Sequence, residues 1–178
     1  MKNKSLGGRG FGHRGFTFIE LAVVLLILAM VSALAFPLIY KMSADDLKSS
    51  SRHLIRTIRY LNDRAATTKK LYRLNYQIDR GEYWVTEQTG PGLFAASETV
   101  VFRRGALPRS VRFVDVVALN QKTALGEGHT DFYPVGRIDK TLIHLKDKND
   151  RELTLIINPV TGRVKVYEGY WEETDREG

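Results

Sequence analysis

The carboxylate of Glu20 is the group in this sequence best placed to do chemistry, because it lies at the start of a long apolar run. No charged residue occurs from Leu21 to Ile39. About 20 apolar residues in a helix cross the roughly 30 Å hydrocarbon core of a bilayer, so the run predicts a membrane span. A charge at mid-membrane costs about 2.5 kcal/mol or more, which makes an acidic residue there a functional-site hypothesis by default. No basic side chain lies close by downstream, so the partner of Glu20 must come from elsewhere.

The residues around Glu20 also resemble a processing signal. Segment 15–20, GFTFIE, followed by the apolar run, resembles the type III signal of type IV pilins and type II secretion pseudopilins. Pro37 falls at the spacing of that family, and only Phe18 departs from it, at a position where leucine is commoner. The resemblance implies that a prepilin peptidase removes the basic leader 1–15 by cutting after Gly15, and then methylates the new N-terminal Phe16.

The expected cleavage offers a partner for the carboxylate. It creates a positive amine at Phe16, and Glu20 lies about one helical turn further along the chain. We hypothesise that Glu20 pairs with the Phe16 amine of a neighbouring subunit, which neutralises both charges and sets the axial register of a filament. The alternative is a carboxylate that snorkels to the membrane interface.

A helix must position these groups. After Pro37, apolar residues recur at three- and four-residue steps, which predicts an amphipathic helix. We expect one helix from about Phe16 to about Lys69, with a transmembrane half over 16–40 and an amphipathic half over 41–70. Pro37 either bends the helix, as the resemblance implies, or marks the exit from the membrane. The apolar face comprises Leu47, Leu54, Ile55, Ile58, Leu61 and Ala65, and the charged side comprises Lys48, Arg52, Arg56, Arg59 and Asp63.

The remaining residues, 71–178, predict an antiparallel β head. Alternation of apolar and polar residues predicts strands over 71–78, 82–87, 100–102, 111–119, 141–146, 153–158 and 163–168. In the fourth of these, Val111, Phe113, Asp115 and Val117 are expected on one face. Turns are predicted at 80–81, 147–151 and 158–162, loops at 90–92 and 121–134, and a frayed acidic tail from residue 172. The fold class is therefore α+β and pilin-like, with a long N-terminal helix packed on antiparallel sheets.

Two segments of the head resemble a smaller group within that family. Residues 131–137, DFYPVGR, precede a two-strand meander that leads to residues 158–164, NPVTGRV. This arrangement is similar to the H-type minor pseudopilins of type II secretion and to the related FimT-class minor pilins. Turns of this kind also arise in unrelated β proteins for backbone reasons.

The distribution of charge argues against a general nucleic-acid binder. The net charge is +7, but the leader carries four basic residues and no acid, and residues 41–73 carry nine basic residues against three acids. The head from residue 74 onward is nearly balanced. The row of Arg52, Arg56 and Arg59 is expected to be a solvated face or a contact to neighbouring subunits, with DNA as the less favoured alternative.

The sequence gives no indication of an enzyme, a cofactor or a metal. It contains no phosphate-binding glycine loop, nucleophile elbow or paired-histidine signature. It also contains no cysteine, which excludes disulfides and thiolate metal sites. His129 and Asp131 could supply half a metal site, but we interpret them as loop residues. His144 is expected on the surface, and His53 on the polar side of the helix.

Three functions remain open from the sequence. The first is an H-type minor pseudopilin of type II secretion, a single-pass protein of the bacterial inner membrane with a cytoplasmic N-terminus and a periplasmic head. Its partners would be the prepilin peptidase and the other major and minor pseudopilins. The second is a FimT-like minor type IV pilin that works in attachment or DNA uptake. The third is a secreted soluble domain cut after Ala35 by an ordinary signal peptidase.

Overall fold

The computed structural model describes the backbone of residues 17–97, 100 and 104–172, and the side chains of these residues outside 34–44. One helix, α1, spans Phe18–Thr68. Ten strands follow it in the described part of the chain: β1 Tyr72–Gln77, β2 Glu82–Gly90, β3 Leu93–Ala96, β4 Arg104–Ala106, β5 Val111–Ala118, β6 Gln121–Thr123, β7 Glu127–Phe132, β8 Thr141–Asp147, β9 Glu152–Ile157 and β10 Val164–Glu168. The predicted α+β class, with one long N-terminal helix followed by antiparallel sheets, is confirmed. The chain divides into two compact units, Met1–Ile39 and Tyr40–Gly178.

The amphipathic part of α1 supplies one wall of the hydrophobic core of the second unit. Leu54, Ile58, Leu61 and Ala65 are fully buried, as their helical spacing predicts. The charged residues on the other side are exposed. The helix ends at Thr68 because Lys69 adopts a positive φ of 57°, a left-handed conformation that terminates helices.

The first sheet has the strand order β3-β2-β1-β7, and β4 pairs with the beginning of β2. The alternation of buried and less buried residues along β1 and β2 follows the alternation of apolar and polar residues in the sequence. Tyr72, Leu74 and Tyr76 of β1 are fully buried, and Tyr83 and Val85 of β2 point to the same core. β1 lies between β2 and β7 and is paired on both sides.

The predicted loop over 121–134 is wrong, since it contains β6 and β7. The sequence of β7 is polar and includes a glycine, so its intrinsic strand preference is weak. Tertiary pairing overrides that preference, because every residue of β7 pairs antiparallel with β1. Asp131 adds a two-point ion pair with Arg73, at 2.7 Å for each oxygen, and Tyr76 hydrogen-bonds Thr130 at 3.1 Å.

The second sheet has the strand order β10-β9-β8-β5-β6. The predicted single face for Val111, Phe113, Asp115 and Val117 is wrong, because the register shifts between Phe113 and Asp115. This β-bulge inserts one residue and exchanges the two faces of the strand beyond it. Val116 instead of Val117 therefore enters the core, and Asp115 lies opposite His144 on β8.

The turn from β8 to β9 is organised by the buried carboxylate of Asp147. It accepts hydrogen bonds from the backbone amides of Asn149 and Arg151 at 2.8 and 3.1 Å, and from Nε of Arg151 at 2.7 Å. Burial acts to raise the pKa of Asp147, but these hydrogen bonds and the charge of Arg151 outweigh it and lower the pKa below its ordinary value.

The Asp147→Asn variant is expected to lose part of the acid sensitivity of the protein. A carboxyl with a lowered folded pKa stabilises the fold above its unfolded pKa of about 4, and that stabilisation disappears as the pH falls through the folded pKa. Denaturant midpoints at pH 7, 4 and 3 should therefore fall less steeply in Asp147→Asn than in the parent. Asp150→Asn, at a side chain that is 83% exposed, is the control. Equal acid sensitivity in Asp147→Asn and the parent would contradict this account.

The turn from β9 to β10 packs directly against α1. Gly162 has a φ of 65°, and a Cβ built on it would lie 2.5 Å from Nδ2 of Asn62. Asn158 closes the turn by accepting hydrogen bonds from the amides of Val160 and Thr161 at 3.0 and 2.9 Å. Glycine is thus required here both by the backbone and by the neighbouring helix.

The Gly162→Ala variant should destabilise the protein more than Gly126→Ala. Both glycines have positive φ, for which a side chain costs about 1–2 kcal/mol. Only Gly162 also has a helix within contact distance, whereas nothing lies within 4 Å of a Cβ on Gly126. Thermal unfolding of the two variants measures the difference, and equal losses would show that Asn62 moves aside at no cost.

Candidate functional site

The start of α1 is built around Thr17 and Glu20. The amide of Glu20 donates to the carbonyl of Thr17 at 3.1 Å and to its hydroxyl at 3.3 Å. The spacing Thr-x-x-Glu at a helix start is that of a capping box. A carboxylate in the first turn also interacts favourably with the helix dipole. Glu20 therefore has a role within its own helix, which the sequence reasoning did not recognise.

The apolar part of α1 exposes its side chains on every side. All described residues from 17 to 33 are exposed, with Phe18 at 89% and Met30 at 69%. A helix that is apolar all round is normally buried in protein or lipid. This segment is the candidate assembly surface.

Some predicted site residues fall outside the described part of the chain. Gly15 and Phe16, the predicted cleavage and methylation positions, are among them, as are the side chain of Pro37 and residues 101–102 of one predicted strand. The helical assignment continues past Pro37 to Thr68. Among the described residues, no helix meets the combined length and apolarity needed to cross a membrane.

The two head segments that carried the resemblance meet in space. The amide of Ile138, just after the first segment, donates to the carbonyl of Pro159 in the second at 3.0 Å. A Cβ on Gly162 would also lie 3.4 Å from the side chain of Ile138. The segments therefore join β7, the β9–β10 turn and α1, and nothing in their contacts requires a ligand.

His129 and Asp131, interpreted from the sequence as loop residues and not as a metal site, lie on β7. The carboxylate of Asp131 is engaged by Arg73, and His129 is exposed. In the part of the chain that the structure describes, no group of three or more metal-ligating side chains is present. His53 is exposed as expected, and its Nδ1 lies 2.9 Å from the hydroxyl of Tyr83.

A buried polar cluster occupies the outer face of the second sheet, and the sequence did not predict it. The prediction that His144 lies on the surface is wrong: it is 1% exposed, and its Nδ1 lies 2.6 Å from Oδ1 of Asp115. Nε2 of His144 lies 2.9 Å from the carbonyl oxygen of Trp171. Both neighbouring oxygens can accept, so each contact is a hydrogen bond when the ring nitrogen at that end carries a hydrogen.

The cluster fastens the C-terminal segment to the sheet. Tyr170 stacks on His144 with ring centroids 4.0 Å apart and donates its hydroxyl hydrogen to Asp115 at 2.9 Å. Burial raises the pKa of Tyr170, so the phenol keeps that hydrogen at neutral pH. The amide of Trp171 donates to the hydroxyl of Thr154 at 3.1 Å. Asp115 and His144 resemble two members of a catalytic triad, but Nε2 contacts a carbonyl oxygen instead of a nucleophile, so the arrangement is structural.

Comparison with known proteins agrees with the pilin-like class that the sequence predicts. Residues 11–36 match the family model of the prokaryotic N-terminal methylation motif. No curated protein matches in sequence. The chain combines a prepilin-type methylation motif with a pilin-like fold of one long helix and antiparallel sheets.

Solved structures with this fold include minor subunits of two related systems. Two structures of the minor pseudopilin EpsH from the type II secretion system of Vibrio cholerae share 10% and 11% identity, with TM-scores of 0.55 and 0.57. They cover 69% and 72% of this chain and 97% and 98% of theirs. The type IV minor pilin FimU of Pseudomonas aeruginosa shares 16% identity over 70% of this chain and 90% of its own, with a TM-score of 0.50. At these identities the likeness shows the fold, and the chain is similar to both kinds of subunit.

Proposed function

We propose that this chain is a non-enzymatic minor subunit of a type II secretion pseudopilus. In this proposal a prepilin peptidase cuts after Gly15 and methylates Phe16. Residues 16–40 then anchor the chain in the bacterial inner membrane, with the head in the periplasm. Other pseudopilins bind along the same apolar helix, and Glu20 pairs with the Phe16 amine of a neighbour.

The observation that carries the proposal is the exposed apolar half of α1, which lies within the segment that matches the methylation motif. An apolar helix segment whose large side chains are 42–89% exposed is unfavourable in water, because so much apolar surface is left in contact with solvent. Lipid covers it before assembly, and the helices of neighbouring subunits cover it in the filament. The capping of Glu20 by Thr17 is compatible with this role, because it uses the Glu20 amide and leaves the carboxylate exposed.

A type IV pilus is the second candidate. The same methylation motif and the fold shared with FimU support it. The exposed row of Arg52, Arg56 and Arg59 gives it a surface for an acidic partner. The head segments 131–137 and 158–164 are similar to both classes of subunit, so they do not distinguish the two systems. We favour type II secretion.

Photocross-linking in cells tests whether the helix is an assembly surface. A photoreactive residue in place of Leu25, which is 58% exposed, should give cross-links to other pilin-type subunits. The same residue in place of Arg109 on the head is the matched control and should give fewer. Cross-links from Leu25 should disappear in cells without prepilin peptidase. If Leu25 gives no cross-link to any pilin-type subunit, the proposal fails.

Deletion of the gene separates the two systems. Loss of type II export with normal pili supports the first candidate, and loss of pili with normal export supports the second. Complementation with the parent chain must restore the missing activity for either result to count.

A further inference from the structure

The last strand of the second sheet has one open edge in the described part of the chain. β10 pairs with β9 on one side only. The amide of Asn158 donates to the carbonyl of Arg163, and the amide of Gly169 donates to the carbonyl of Glu152. Along an antiparallel ladder, residue pairs that exchange hydrogen bonds alternate with pairs that do not. The backbone groups of Val164 and Val166 therefore face away from β9, as does the amide of Glu168. The Glu168 carbonyl also faces outward, but it accepts a hydrogen bond from Nε1 of Trp171 at 2.9 Å. Val166 is 45% exposed, so the edge is accessible to another strand.

Unpaired cations flank one end of this edge. A cavity of about 510 Å³ lies between α1 and β10 and is lined by Arg59, Arg163 and Lys165, against the single acid Asp63. These three basic residues are exposed. None of them forms an ion pair or side-chain hydrogen bond with any residue that the structure describes.

The surface between α1 and β10, here called the groove, has a second, separate cavity of about 340 Å³ at the other end of β10. Its charged lining residues are Lys48 and Arg151 and the acids Glu152 and Glu168, so the end with Arg59, Arg163 and Lys165 is the basic end of the groove. Helical spacing places Arg52 on the same face of α1 as Lys48 and Arg59. An extended segment of five residues, about 17 Å long, would match the length of β10.

We propose that this groove binds an extended, acidic protein segment, which adds to β10 as a further strand. Backbone hydrogen bonds to Val164, Val166 and Glu168 would supply affinity, and carboxylates beside Arg59, Arg163 and Lys165 would supply specificity. The site is built entirely from residues of the second unit, Tyr40–Gly178, so the inference does not depend on the proposed assembly surface.

The charge of the groove selects against other occupants. A second copy of β10 would bring its own Arg163 and Lys165 with only one acid, Glu168, so it would neutralise the cations of the groove less well than an acidic strand. Nucleic acid would gain from the cations but not from the unpaired backbone groups of the edge strand. An acidic strand can pair with the cations and also form hydrogen bonds with the outward-facing backbone groups of β10.

Binding is tested with the full chain in nonionic detergent and a labelled six-residue peptide, acetyl-Glu-Val-Glu-Val-Glu-Val-amide. Fluorescence anisotropy measures affinity, and hydrogen exchange measures protection of the amides in 164–168. The glutamate peptide should bind at least about tenfold more tightly than the same peptide with glutamine, with a clear loss of affinity between 50 and 300 mM salt. Exchange in 164–168 should slow when the peptide binds.

Two variants test backbone pairing with β10 and charge recognition by the cations separately. Val166→Pro removes an outward-facing amide, a change that edge strands tolerate, and should abolish the amide protection. The double variant Arg59→Ala with Arg163→Ala should weaken binding about tenfold while the chain stays folded, whereas Arg109→Ala should change it less than about twofold.

Three results would overturn the proposal. The first is equal binding, or no binding, of the glutamate and glutamine peptides. The second is unchanged affinity and protection in Val166→Pro. The third is tighter binding of a duplex DNA oligonucleotide than of the acidic peptide, with no effect of Val166→Pro, which would make the cations a nucleic-acid site.

Discussion

Replacing Asp115 with alanine is expected to lower the free energy of unfolding by about 2–6 kcal/mol, because the change leaves His144 Nδ1 and the Tyr170 hydroxyl without their hydrogen-bond partner, at about 1–3 kcal/mol for each. His144 and Asp115 are 1% and 2% exposed at their side chains, so water cannot replace the lost carboxylate. Chemical unfolding followed by tryptophan fluorescence measures the loss, since Trp171 lies in the segment that the cluster fastens.

Two controls distinguish the buried pair from general damage to the sheet. Lys122→Ala removes a half-exposed member of the cluster and should cost less than about 1 kcal/mol. Replacing Asp115 and His144 together by leucine removes both members of the buried polar pair, and should restore part of the stability that Asp115→Ala loses. If Asp115→Ala and Lys122→Ala cost the same, the cluster does not stabilise the C-terminal segment in the way argued here.

Removal of the Glu20 charge is expected to reduce incorporation into filaments more than about tenfold. Without the Glu20 carboxylate, the Phe16 amine of the neighbouring subunit has no partner. An unpaired charge in hydrocarbon costs about 2.5 kcal/mol or more, and each 1.4 kcal/mol corresponds to a factor of ten in the equilibrium constant for incorporation. The Glu20→Gln variant is the informative change, because glutamine preserves the capping-box pattern with Thr17 and removes only the charge. The measurement is the amount of each variant that co-purifies with sheared filaments, relative to the amount in the membrane.

Thr17→Ala is the matched control for the local role of Glu20. It removes the hydroxyl that caps the Glu20 amide and leaves the carboxylate intact. We expect this variant to assemble almost normally, with a slightly less stable helix start. Normal assembly of Glu20→Gln together with failure of Thr17→Ala would mean that Glu20 acts as a helix cap and not as a charge partner.

Periodicity predicted the elements whose stability comes from their own apolar pattern. The buried face of α1 and the alternation of β1 and β2 both follow from residue spacing, and both are confirmed. The turn at 158–162 was also predictable, because its asparagine, proline and glycine have strong backbone preferences.

The sequence could not predict elements that depend on distant partners. β7 is a strand because β1 pairs with it, and its own residues give little sign of this. The position of Asp115 depends on a bulge that no local pattern marks, and this bulge brings the carboxylate to His144. A histidine on an alternating strand was therefore assigned to the surface, although the C-terminal segment covers it.

The mass of the mature N-terminal peptide from cells tests the central claim most directly. The account predicts a chain that begins at Phe16 and carries one added methyl group on its amine, and a longer, unmethylated chain in cells without prepilin peptidase. A mature chain that retains residues 1–15, or that begins at Phe36 after cleavage by a signal peptidase, would contradict it.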